Sequence, residues 1–366
     1  MSTKQNTISS FQWIAALSAP VFPVFIMHFV KLYVSSAGRG AWFSAFLVSL
    51  LTLLILYATI ALYKKKEKSG FPYTPTLLFG KRTSFVLCFL GASCFLLYSA
   101  VGLSLFVFIV KFYFLPRTPA VFLLILLFLP ALTTAKYGFR VFTYTASAAV
   151  LALLLFLSLF LFTKNNYLLS NVFPLTEFDL RNTIKTLPFL TVTAPSLCAA
   201  MFLLPHCCDT KHIFGKAAVF VGICAVLMLF LYVAGMSYFG ETLISRLTLP
   251  FYNLSPFFKG NLLERFDIFY MLALLPSAQI FTTFGFSVFH LIWEDLFGVS
   301  HGKTKNLRIG ISSLITLLTA GIAYSFLPLW DLYRWSNAFF LFLTLLLLFF
   351  TADPFQIIKK RRKESI

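Results

Sequence analysis

Ten apolar stretches, each about long enough to cross a bilayer, leave this chain almost no choice of solvent. They run over 11–34, 41–63, 85–110, 119–135, 139–163, 183–205, 216–239, 267–292, 308–328 and 334–352. A membrane-spanning helix needs roughly 20 mostly apolar residues, in a range of about 17–25. The runs are too long and too many for a soluble core. The expected fold is an all-α integral membrane protein with ten transmembrane helices in one polytopic domain over 1–366. Only 11% of the 366 residues are charged and 59% are hydrophobic. No cleavable signal peptide is expected: Lys4 is the one early base, and the small residues near Ala19 are followed by Pro20.

The net charge of +18 lies in the connections and the tail, where it orients the chain and meets anionic lipid headgroups rather than nucleic acid. With the N-terminus inside, the inner connections hold 19 of the 30 Lys and Arg residues. Lys64-Lys65-Lys66 and the basic tail at 353–366 carry much of that excess. Both termini are therefore expected in the cytoplasm. Cys88, Cys94, Cys198, Cys207, Cys208 and Cys224 lie in or at the ends of apolar segments, without the spacing of a disulfide framework.

Within the first segment, Ser18-Ala19-Pro20-Val21-Phe22-Pro23 breaks the helical ladder. Proline has no amide to donate, so Pro20 frees the carbonyl of Ala16 and Pro23 that of Ala19. The sixth segment repeats the feature, with Thr191-Val192-Thr193-Ala194-Pro195-Ser196 at its middle. Pro195 there frees the carbonyl of Thr191. Either break read alone could be a plain proline kink. Together they lie five helices apart. Five is odd, so a second set of five helices runs inverted to the first, and matched broken helices in inverted halves point to a transporter-type site. The halves are read as 1–163 and 183–352.

All twelve acids fall in connections or near helix ends, which argues against a carboxylate-coupled pump but leaves open Na⁺ held by carbonyls and hydroxyls. The expected site is neutral and built of backbone ends. The second half of the first segment starts near Phe22 and aims free amides at the midplane, which suits a carboxylate. The carbonyls of Ala16, Ala19 and Thr191 suit an ammonium group. Thr191, Thr193 and Ser196 add hydroxyls. Tyr98 of the third segment and Ser277, Gln279, Thr282 and Thr283 of the eighth are candidates to close it, although each such hydroxyl is commonly spent on a carbonyl of its own or a neighbouring helix. His28 and His290 are read as interfacial or packed residues. His206-Cys207-Cys208-Asp209 does not have the spacing of a zinc site. With no phosphate loop, nucleophile triad or paired carboxylates, no enzymatic role and no cofactor are expected.

Short stretches along the whole chain carry a family resemblance. Ile8-Ser9-Ser10-Phe11-Gln12 precedes the broken first helix. Ala37-Gly38-Arg39-Gly40-Ala41-Trp42 leads into the second, and Leu78-Phe79-Gly80-Lys81 into the third. Leu115-Pro116-Arg117-Thr118-Pro119, Phe173-Pro174-Leu175, Arg246-Leu247-Thr248-Leu249-Pro250 and Glu264-Arg265-Phe266-Asp267 follow in order. In these the chain resembles the endospore germination permeases, the B subunits of nutrient germinant receptors, within the amino acid-polyamine-organocation superfamily. The resemblance implies inverted five-helix repeats with helices 1 and 6 broken, and a place in the spore inner membrane. It implies a small nutrient ligand such as an amino acid, and A-type and lipoprotein C-type subunits as partners. The ligand site expected from the two breaks and the hydroxyls near them comprises Ala19, Pro20, Val21, Phe22, Pro23, Tyr98, Thr191, Thr193, Ala194, Ser196 and Ser277. Relatives tend to have glycine in the first break, where this chain has Pro20 and Pro23. The rival expectations are a secondary active transporter of amino acids or related solutes, and an ion- or water-conducting subunit.

Overall fold

The computed structural model describes residues 8–18, 20–21, 30–67, 81–159, 169–173, 192–208, 212–247, 266–298, 302–326 and 328–351. The described chain is helical, and its one extended pairing is an isolated bridge between Ile8 and Cys207. Among its described residues the first apolar segment holds α1 (Ser10–Ser18) and α2 (Val30–Ala37). Then come α3 (Ala41–Glu67), α4 (Lys81–Tyr113), α5 (Ala120–Tyr137) and α6 (Phe139–Leu159). The second half holds α7 (Ala194–Leu203), α8 (Ile213–Arg246), α9 (Phe266–Phe297), α10 (Lys303–Phe326) and α11 (Leu329–Thr351).

Helix ends follow local chemistry. Pro119 precedes α5 as its N-cap, and Gly138 ends it at φ 99, a left-handed value that a residue with a Cβ rarely adopts. The Gly138 N–H closes onto the Thr134 carbonyl at 2.8 Å, and α6 starts at the next residue. Gly240, at φ 68 and ψ 171, breaks the helical course of α8 near its end.

Six helices among the described residues are long and apolar enough to cross a membrane, and the chain is an integral membrane protein. Two more helices, α6 and α9, cover the fifth and eighth expected segments with 21 and 32 residues. At 33 residues α4 is about 50 Å long. That exceeds a hydrocarbon layer of about 30 Å, so α4 tilts or projects.

α4 and α9 form the centre. They pack on each other, and between them they touch α5, α6, α10 and α11. Val121, Ile125, Val219, Val226, Leu314 and Leu318 are exposed on the outward faces of α5, α8 and α10. Such a surface suits lipid, not water. All ten residues of α7 and seven of the nine in α1 are buried, so the two short helices are shielded from lipid by the long ones.

The junction of two short buried helices

The start of α1 is held by a reciprocal cap. The Ser9 amide donates to Gln12 Oε1 at 2.9 Å, and the Gln12 amide donates to Ser9 Oγ at 3.2 Å. The Ser-x-x-Gln spacing thus satisfies two of the amides a helix start leaves unpaired. At its other end α1 tightens and stops. Val21 N–H would continue the helix by bonding Leu17; it bonds the Ser18 carbonyl instead, at 3.0 Å, in a turn through Pro20. That releases the Leu17 carbonyl, and Ser196 Oγ of α7 donates to it at 2.6 Å. Pro20 and Val21 are buried at this turn.

Pro195 occupies the first turn of α7. A first-turn proline forfeits no intrahelical bond, because the amide it lacks has no partner there. Thr193 is the N-cap but makes no side-chain cap. Its Oγ1 lies 3.2 Å from Thr52 Oγ1 of α3. α1 and α7 run antiparallel. The end of α1 meets the start of α7 through Leu17 and Ser196. At the opposite end the Ile8 amide donates to the His206 carbonyl at 2.9 Å, and the Cys208 amide donates to the Ile8 carbonyl at 3.0 Å. The partly negative C-terminus of α1 therefore faces the partly positive N-terminus of α7 in a water-poor interior, and each offsets the other.

Beside this junction lies a cavity of ≈ 70 Å³. α1 contributes Trp13, Leu17 and Val21, and α7 contributes Thr193, Ser196 and Leu197. The far wall comes from Ser49, Thr52 and Leu56 of α3 and from Cys224 and Met228 of α8. No carboxylate is among its described lining residues. The cavity therefore offers shape and a low dielectric rather than charge.

The structure divides the residues expected to form the site. Val21, Thr193 and Ser196 line the cavity, with Pro20 and Ala194 next to them in the chain. Tyr98 lies elsewhere, fully buried where α4, α9 and α11 meet, its ring 4.6 Å from Phe281 and 5.4 Å from Phe340. Thr282 is buried on the same side, its carbonyl accepting from Ser99 Oγ at 2.8 Å. Thr283 donates to the carbonyl of Gln279 in its own helix. Ser277 falls within α9. Ala19, Phe22, Pro23 and Thr191 lie outside the described residues. His290 is packed against Phe286 and Phe289, with Nε2 3.2 Å from Ser312 Oγ. His206 Nε2 lies 3.1 Å from Asp295 Oδ2.

Sequence reasoning missed the α3 and α8 wall and Trp13. A faint signal exists in α3, where Ser49, Thr52 and Thr59 recur at helical spacing in an otherwise apolar run.

A family model described as spore germination protein matches residues 7–325, a span that includes the α1–α7 junction and both helices of the far wall. No curated protein matches the chain.

Proposed function

The chain belongs to the spore germination protein family, and from that premise we propose that it is the B-type subunit of a nutrient germinant receptor in the spore inner membrane. In this reading it binds a small nutrient, such as an amino acid, at the α1–α7 junction and relays occupancy to A-type and lipoprotein C-type partner subunits. It is not an enzyme. The observation that carries the reading is the junction itself: two short, buried helices whose ends meet beside a cavity, inside a shell of long apolar ones. Interrupted helices persist at membrane depth only where protein or a cavity shields their backbone.

The same reading takes the chain as ten spans in two inverted five-helix repeats, with both termini in the cytoplasm. The packing supports it. Segments five apart are in contact: α1 with α7, α3 with α8, α4 with α9 and α5 with α10. Other contacts recur when the halves are exchanged. α9 packs on α5 as α4 does on α10, α9 on α6 as α4 does on α11, and α8 on α2 as α3 does on α7.

The test is a germination assay. Thr193→Leu and Ser196→Leu, in spores with unchanged protein level, are each expected to abolish the nutrient response; a normal response in both would move the site off α7. Uptake of labelled amino acids into vesicles separates the receptor from a transporter. Gradient-driven accumulation would defeat the receptor reading.

A further inference from the structure

The wall of the cavity holds four hydroxyl side chains, yet their donor hydrogens are already engaged. Ser49 Oγ donates to the Ala45 carbonyl at 2.9 Å, and Thr52 Oγ1 to the Val48 carbonyl at 2.8 Å. Thr193 is against Thr52, and Ser196 is spent on Leu17. What faces the space is hydrocarbon and sulfur, with Leu56 of α3 and Cys224 and Met228 of α8 in its wall. A polar or charged group placed here gives up its water and receives little in return.

Size narrows the occupant further. One water needs roughly 10–15 Å³ on this measure. A cavity of ≈ 70 Å³ therefore takes about five groups of that size. A three- or four-carbon branched chain is of a size with that space. Location matters as well. Leu17, Val21, Thr193 and Ser196 line the cavity and also form the junction, so the space is continuous with the helix ends. On the far side α3 packs along α8, and the Tyr57 and Phe214 rings meet edge to face across that seam at 4.9 Å. That contact closes part of the seam to a lipid chain.

The geometry points to a specificity pocket for the nutrient's side chain. The cavity takes a branched aliphatic group of the valine, leucine or isoleucine kind, while the polar end of the same molecule stays at the α1–α7 junction. This rests on the reading that a nutrient binds at that junction. Met228 and Cys224 set the depth of the pocket.

The experiment uses the full-length protein in lipid nanodiscs, with binding of L-leucine, L-valine, L-alanine and L-asparagine measured by competition against radiolabelled L-leucine. Leucine and valine are expected to bind at least tenfold more tightly than asparagine, the order of discrimination that apolar pockets give. Cys224→Phe fills the pocket and is expected to reverse the order of leucine and alanine. Met228→Ala deepens it and is expected to move the preference towards L-phenylalanine, which keeps the test open if the phenylalanine variant does not fold. Equal affinity for leucine and asparagine, with neither substitution changing the ranking, overturns the pocket and leaves the nutrient site standing. Binding of none of the amino acids overturns the nutrient reading, and the pocket with it. A co-purified phospholipid that competes with leucine reassigns the cavity to lipid.

Discussion

The α4–α9 crossing and the α1–α7 junction both bring two antiparallel helices together in the centre of the protein, by opposite means. At the crossing the backbones touch. A Cβ added at Gly285 would lie 2.6 Å from the Phe95 carbonyl and 2.9 Å from the Ser99 amide. A Cβ at Gly102 would run into the Phe281 side-chain ring, and Ser99 bonds across to Thr282. Phe95, Phe284 and Phe340 fill the surroundings, with ring centroids 4.7 to 5.9 Å apart. At the junction the helices are nine and ten residues long, one hydroxyl spans the gap, and a cavity remains. The difference separates a scaffold that resists change from a junction that has room for it. Close backbone approach through small residues is the strongest packing open to helices in lipid, because lipid removes the hydrophobic drive between them.

Four substitutions break or sharpen this contrast. The largest effect is expected from Gly285→Val, which pushes α4 and α9 apart and costs about 3 kcal/mol, read as a fall in the thermal unfolding midpoint in detergent. A midpoint within 1 °C or so of the parent would remove the crossing from the scaffold. Ser196→Ala comes next. It strands the buried Leu17 carbonyl and is expected to cost about 2 kcal/mol, by the same measurement, with the nutrient response weakened. A stability loss larger than that of Gly285→Val would invert the comparison. Ser99→Ala removes one hydroxyl bond between close-packed helices and should cost only about 0.6 kcal/mol. It is expected to leave germination at the parental rate, and a lost response would show that the crossing takes part in signalling. Pro20→Ala is expected to have the smallest effect on stability and a weaker effect on germination than Ser196→Ala, since Pro23 still interrupts the ladder in the sequence. A loss of response equal to that of Ser196→Ala would make Pro20 itself indispensable.

Much of the fold is legible in the sequence because bilayer thickness is written into run length. The apolar runs at 41–63, 85–110 and 216–239 mark α3, α4 and α8 to within their helix bounds. The break after Ser18 is legible for a covalent reason, the amide that Pro20 lacks. The candidate site was legible only in part. Of the residues lining the cavity, Ser196 and Thr193 stand out in the sequence because they lie beside Pro195, whereas Cys224 and Met228 do not. In a helix such as α8 the residues facing lipid and those facing the interior are equally apolar, so no amphipathic pattern shows which face is inward. Tyr98 illustrates the converse: its position midway along the third segment holds, but the direction of its ring depends on the rotation of α4, which packing sets. The spent hydroxyls follow the same logic. A sequence shows that Thr52 can bond, not that Val48 and Thr193 have already engaged it.

The paired bonds at Ile8 bear on how the molecule moves. Its amide and carbonyl are both held by the segment that follows α7, while Ser196 holds the other end of α1. Lys216 Nζ adds a third tie, donating to Ser10 Oγ at 2.6 Å. A rod pinned to its neighbour at both tips has lost the scissoring degree of freedom. It does not swing against that neighbour unless a pin is drawn, and Lys216 ties its start to α8 as well. Any stroke of α1 therefore carries α7 with it, and the end at which the first pin gives way decides which side of the membrane feels the motion.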